Sequence, residues 1–201
     1  MRAILKISFL LVVGFLLSAC ATSLKQQDLA NVKTVGVING FPETPHYVVV
    51  GTTIFNNEYD KINEPAYKDL LEKTVLDRLS AKGFQASIIR KEQSDNFDMI
   101  LEIVPRDIYE TPETDGYGIN QQSILGMRMP AFSYISLNVV PTIHGNMMCA
   151  ACYMAKITNP DIGDLPSSWQ ELSPQHQDIA RKSLNENIVT GINEVMLKMG
   201  L

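Results

Sequence analysis

Basic residues are in deficit in this 201-residue chain: 17 Lys plus Arg stand against 22 Asp plus Glu, for a net charge of −5. No basic stripe interrupts the acidic balance, which excludes nucleic acid as a partner and broad electrostatic adhesion to anionic lipid. Catalytic punctuation is missing as well. There is no Gly-x-Ser-x-Gly elbow and no His-Glu-x-x-His helix, and the three histidines, His46, His144 and His176, fall on three different elements. Gly116 and Gly118 are not followed by a Lys and a helix, so a phosphate-cradling loop is absent. Asp95, Asp98, Asp107, Glu110, Glu113 and Asp115 are numerous enough for a hydrolytic carboxylate pair, and equally suit a solvated acidic face. No catalytic residue, resident metal or cofactor is assigned. Hydrophobic content of 45% with 7% aromatic residues reads as globular rather than disordered.

Only one long apolar run is present, and it lies at the start. Arg2 and Lys6 precede an uncharged stretch from Ile7 to Leu17, 11 residues against the roughly 20 that a bilayer crossing needs. That is the pattern of a secretory signal. It ends in Leu17-Ser18-Ala19-Cys20, which resembles the lipobox of bacterial lipoproteins at all four positions. The alternative is an ordinary cleaved signal, or an anchor, that happens to end in Cys. The resemblance implies cleavage before Cys20 after its thiol has received a diacylglycerol, leaving covalent lipid, palmitate included, as the chain's only non-protein group. Each buried methylene is worth about 0.8 kcal/mol, so two or three acyl chains hold a protein on a membrane. Ala21, Thr22 and Ser23 follow where Asp would favour inner-membrane retention. The resemblance therefore implies the periplasmic face of the outer membrane.

Loss of residues 1–19 leaves 182 residues, enough for one domain with a sizeable core. Removing Arg2 and Lys6 also takes the side-chain charge from −5 to −7. Residues 20–32 read as the lipidated N-terminus and a polar tether, and residues 33–201 as a periplasmic α/β domain.

Within that domain Thr34 to Ile38 and about Tyr47 to Ile54 read as strands, separated by a loop containing Pro42 and Pro45. A helix is predicted from Asn63-Glu64-Pro65 to Lys82, with Tyr67, Leu71, Val75 and Leu79 at spacings of four on one face. Phe84 to Arg90 and Phe97 to Val104 are the next strands, the second apolar at nearly every position and so central. Residues 106–130 read as the longest irregular stretch, either partner-contacting or mobile. Strands Phe132 to Ile143 and Met147 to Ile157 follow, joined at His144-Gly145-Asn146. Ser173-Pro174 opens a last helix that reaches Met199 and stops at Gly200. The predicted fold is α/β, a mixed sheet with two amphipathic helices packed on one face.

This order, with Cys20, the opening Thr34-Val35-Gly36-Val37-Ile38, the helix before Gly83-Phe84 and the strand Phe97 to Ile103, resembles periplasmic lipoprotein domains of the curli-secretion and penicillin-binding-protein-activator type. The resemblance implies a non-enzymatic assembly or regulatory role among envelope proteins.

The densest chemistry lies in residues 144–154, where His144, Met147, Met148, Cys149, Cys152 and Met154 bring two thiols, three thioethers and an imidazole together. Tyr153 occupies the place a c-type haem histidine would need, which excludes haem. Thiol redox chemistry would want Cys149 at a helix start. Thiolate and thioether sulfur would select copper(I), but residues three apart on a strand lie about 10 Å apart on opposite faces. A local disulfide would need a turn at Ala150-Ala151 to bring the Cα atoms within about 7 Å. Two buried thiols on a central strand are the remaining option. The reading carried forward is an envelope accessory lipoprotein, with a thiol or copper protein using Cys149 and Cys152 as the alternative.

Overall fold

Val35 and Val37 in Thr34–Asn39, and Met99, Leu101 and Ile103 in Met99–Pro105, alternate along their strands and are buried on one face, while Glu102 and Val104 on the other stay partly exposed. The computed structural model describes residues 23–53 and 56–201, so Cys20 and the segment before it lie outside the described residues. In chain order the elements are a one-turn helix α1 (Gln26–Leu29), strands β1 (Thr34–Asn39), β2 (His46–Val50) and β3 (Glu58–Lys61), and helix α2 (Ala66–Ala81). Strands β4 (Gln85–Ile88), β5 (Met99–Pro105), β6 (Tyr117–Ile124), β7 (Met127–Arg128), β8 (Phe132–Ile143), β9 (Asn146–Met147) and β10 (Ala151–Thr158) follow, then helix α3 (Pro174–Lys198). The protein is a mixed α/β single domain whose sheet curls into a half-barrel.

The register explains the curl. β10 pairs continuously with Phe132 to Val139 along one edge of β8. The other edge is shared: β6 takes Phe132 to Ile135 and β5 takes Leu137 to Ile143, both antiparallel to β8. β5 and β6 therefore lie end to end as one composite strand, and the chain between them leaves and rejoins at a single β8 residue. Arg106 N–H donates to the Ser136 carbonyl (3.0 Å), and Ser136 N–H donates to the Gly116 carbonyl (2.6 Å). The next row repeats the device, with β1 parallel to β5, β2 parallel to β6, and residues 40–45 looping out between them. Two rows broken at one level produce a bend. Phe41 and Tyr117 fill it edge to face at 5.1 Å, and Tyr117 Oη donates to the Pro42 carbonyl at 2.9 Å. Gly116, at φ +84°, leaves room for Phe41 and Pro105, whose atoms would stand 3.0 and 3.1 Å from an added Cβ.

Both helices cover one face. α2 buries Tyr67, Leu71, Val75 and Leu79, the predicted stripe, but starts only at Ala66 with Pro65 before it and no side-chain cap, so Asn63 does not cap it. α3 opens as predicted: Ser173 Oγ accepts from His176 N–H and Pro174 occupies the first turn. It crosses β8 where Asn187 Nδ2 donates to Ser133 Oγ at 2.7 Å, both buried, and where Gly191 meets Ile135 and Tyr153. The fold also reaches further toward the N-terminus than residue 33. Leu24 N–H donates to the Met199 carbonyl at 3.0 Å, and Leu24 and Val32 are buried. The expected tether is therefore packed on the body from Leu24 onward.

Strand formation within residues 106–130 is the largest departure from the sequence expectation. β6 carries Gly118, Asn120, Gln121, Gln122 and Ser123, a composition poor in strand formers, and is held by its neighbours β2 and β8 rather than by propensity. Gln121 is buried because its amide is satisfied: Nε2 donates to the Met129 and Gly163 carbonyls, and Oε1 accepts from Leu165 N–H. β3 is a second unforeseen strand, a short exposed edge antiparallel to β2.

Asp98 ties three segments together at one end of the sheet. Its Oδ2 accepts from Lys33 N–H, Thr34 N–H and Thr34 Oγ1, each at 2.9 Å, while its carbonyl accepts from His144 N–H at 3.2 Å. The backbone donors of Lys33 and Thr34, with the Thr34 hydroxyl, hold the Asp98 carboxyl below its ordinary value of 3.8. A carboxyl depressed in the folded state adds stability above its unfolded value and loses it as pH falls through the folded one. Asp98→Ala is expected to lower the thermal midpoint at pH 7, with the gap from the parent closing below pH 3.8; an undiminished gap at low pH contradicts the assignment. Gly191→Val forces a Cβ to 2.8 Å from Ile135 Cγ2. Urea unfolding should register a loss of about 1–3 kcal/mol.

Candidate functional site

The sulfur-rich segment folds as a hairpin tip. His144 and Gly145 both have positive φ (47° and 78°), which makes a two-residue turn of the primed type between β8 and β9. Thr142 pairs with Met147 and Val139 with Ala151, so two β8 residues face Met148, Cys149 and Ala150: a bulge. The expected continuous strand from Met147 to Ile157 is broken there, because the primed turn and the β10 register differ by one residue. Cys149 sits in the bulge, and Cys152 stands on β10 opposite Asn138. Both thiols are free and exposed, as are His144 at the turn and Met147, which is 77% exposed. Met154 lies further along β10, opposite Ser136. The structure thus gathers His144, Met147 and Cys149 at one tip and places Cys152 and Met154 on the adjoining strand. Among the described residues, no three His, Cys, Asp or Glu side chains are grouped to hold a metal ion.

A second cluster was not legible in the sequence. The excursion between β5 and β6 folds over the sheet face opposite the helices as a flap, packing Ile108 on Phe132 and Tyr134. Lys156 Nζ stands 3.6 Å from the Tyr109 ring centroid and 4.8 Å from that of Phe132. Glu110 and Glu113 take left-handed backbone (φ 53° and 58°), and Thr114 Oγ1 donates to the Thr111 carbonyl at 2.7 Å to close the turn. Beneath the flap His46, Gly118 and Tyr134 form one cross-strand row, with Asn120 two residues along. His46 Nδ1, both polar atoms of the Asn120 amide and Tyr134 Oη are buried with no hydrogen-bond partner among the described residues. His46 is 6% exposed and faces a Glu113 carboxylate oxygen at 3.4 Å. Burial lowers its pKa; Glu113 and Asp115 oppose the shift and Lys61 adds to it. Burial likewise lifts Tyr134 well above its ordinary value.

A third feature closes the far end of β6. Leu125 and Gly126 both have positive φ (51° and 80°) and join β6 to β7 through the Ile124–Met127 pair. Leu125 is 94% exposed, and Ile124, Met127 and Met129 are exposed beside it. A cleft of about 430 Å³ runs along this hairpin, lined by Thr52, Glu58, Ser123, Arg128 and Ser167 among others. Arg128 Nη1 crosses to the Leu165 carbonyl at 3.0 Å and ties the hairpin to the loop before α3. β6 runs antiparallel to β8 and continues past the Asn120–Phe132 pair, so this tip and the His144 turn lie at opposite ends of the sheet. A primed turn normally carries Asn or Asp before Gly; with Leu125 there, only the Gly was available as a signal.

The sequence matches no protein-family model and no curated protein. Among solved structures, a protein of the DUF330 family model from Xanthomonas campestris is 12% identical, with a TM-score of 0.47, covering 83% of this chain and 85% of that one. A PelC dodecamer from Paraburkholderia phytofirmans is 11% identical, with a TM-score of 0.38 over 90% of this chain and 94% of that one. A homologue of the neuraminyllactose-binding hemagglutinin from Helicobacter pylori is 11% identical, with a TM-score of 0.34 over 83% of this chain and 80% of that one. Likeness at this level assigns neither family nor activity.

The flap cluster has a pH signature. A histidine whose folded pKa lies below the unfolded 6.5 takes up fewer protons than the unfolded chain in the window between the two values, so folding stability falls as pH drops through it. Urea midpoints measured from pH 7.5 downward should therefore decline below pH 6.5, and His46→Gln should flatten that decline. Glu113→Gln should steepen it by removing the opposing charge. A decline that survives His46→Gln unchanged assigns it elsewhere.

Proposed function

We propose that this chain is a bacterial lipoprotein, held by acyl chains on Cys20 at the periplasmic face of the outer membrane. In this reading it acts as a non-enzymatic accessory or assembly component of the envelope, presenting the Ile124–Met129 hairpin to a protein partner. The observation that carries the partner contact is Leu125. A branched apolar side chain in left-handed backbone costs roughly 1–2 kcal/mol, and at 94% exposure this one recovers little by packing within its own chain. Ile124, Met127 and Met129 extend the apolar tip. The address rests on Leu17-Ser18-Ala19-Cys20 and on the short apolar run before it. Among the described residues no helix is long and apolar enough to cross a membrane, and the acyl group supplies the anchor in this reading.

A photo-crosslinking amino acid placed at Leu125 in the full chain, with Glu186 on α3 as the control position, tests the contact in intact envelopes. The expected result is a discrete protein adduct from position 125 and none from 186. Cys20→Ser should abolish acylation and the cleavage that follows it, keep the chain out of the outer-membrane fraction and abolish the adduct. Equal adduct patterns from the two positions, or none from 125, would overturn the reading.

A further inference from the structure

The two hairpin tips stand at opposite ends of the sheet, and the short covalent link to Cys20 selects between them. We infer that the end carrying the His144–Cys149 hairpin rests on the phospholipid surface that holds the acyl chains, with Met147 and Cys149 at headgroup level; this rests on the lipoprotein reading.

Only Ala21, Thr22 and Ser23 separate Cys20 from Leu24. Four residues of fully extended chain span at most about 14 Å. Leu24 is fixed to the body, buried and donating its N–H to the Met199 carbonyl at 3.0 Å. The surface around Leu24 therefore cannot stand far from the membrane.

α1 begins two residues after Leu24, and Gln27, Asp28 and Asn31 line one cleft of about 270 Å³ with His144, Asn146 and Met148. Asp98 adds a direct tie, joining Lys33 and Thr34 at the start of β1 to His144 at the turn. The sulfur-rich tip is thus the tethered end. The Leu125 tip lies beyond the other end of β8, on the order of 50 Å away along the strands at about 3.3 Å per residue.

Gly145 to Ala155 contains no charged residue, so seating this hairpin among headgroups buries no ion. Met147 and Cys149 are exposed and apolar, and a thioether side chain adapts to an irregular surface. Lys25 and Lys82, the latter donating to the Gly200 carbonyl at 3.4 Å, share this end with Asp28 and Asp98, so the contact surface is not of one sign. Met147 and Cys149 then act as a lipid-contacting tip.

Lipidated mature protein reconstituted in phosphatidylethanolamine and phosphatidylglycerol vesicles tests the orientation. An environment-sensitive fluorophore is placed on Cys149 in a Cys152→Ser background, on Met147→Cys in a Cys149→Ser, Cys152→Ser background, and on Leu125→Cys in that same background. Lipids bearing nitroxides near the headgroup serve as quencher, and flotation is measured on the same samples. Floating protein with loss of emission at positions 149 and 147 and none at 125 is the expected result. Floating protein without loss at 149 and 147, or with loss at 125, overturns this inference and leaves the anchor standing. Protein that does not float rejects the lipid anchor and the orientation together.

Discussion

Everything in this architecture depends on how β8 uses its two edges. One edge is given without interruption to β10 from Phe132 to Val139, while the other must be divided between β6 and β5. Between the rows Asn39–Ile103–Val139 and His46–Gly118–Tyr134, β8 takes five steps, the β1–β2 row seven and the β5–β6 row fifteen. The extra residues cannot lie in the ladder, so they leave it at the bend. The short surplus makes the Phe41–Pro42 corner, and the long one makes the flap with Ile108, Tyr109 and Glu113. Curl, corner and flap are one consequence of two insertions at one level of a sheet.

Parts of the fold set by local chemistry are legible in the amino-acid sequence. The apolar stripe from Tyr67 to Leu79, the Ser173-Pro174 helix start and β8 from Phe132 to Ile143 are cases in which period, cap and turn residues agree with the final structure. The α/β class and the shared helix face follow from the same signals. β6 is the opposite case. Asn120, Gln121 and Gln122 would not form a strand on their own, and they are extended because Val48, Val49, Val50 and Phe132 stand in register beside them. The bulge at Met148–Ala150 was also invisible, since it records a one-residue disagreement between the His144-Gly145 turn and the β10 register.

The candidate surfaces divide along the same line. His144, Met147, Cys149, Cys152 and Met154 could be named from composition alone, but whether they converge depended on the bulge, which holds Cys149 apart from the regular run of β10. The buried row of His46 and Tyr134 with nearby Asn120 could not be named, because its members come from three strands and meet only when the sheet forms. Leu125 escaped notice for another reason: apolar residues such as Ile124, Leu125 and Met127 in a short run are ordinarily buried, and only its left-handed backbone and 94% exposure set it apart.

The divided edge of β8 also has a mechanical meaning. The His144 turn and the Leu125 turn sit at opposite ends of strands that run side by side, so a pull between them loads the β8 ladders in shear and its hydrogen bonds share the force. A pull on the short edge strands β3 or β4 would instead peel one bond after another. The same sheet is stiff between its two tips and easily opened at its sides, and the breaks at residues 40–45 and 106–116 are where the shear path would yield first.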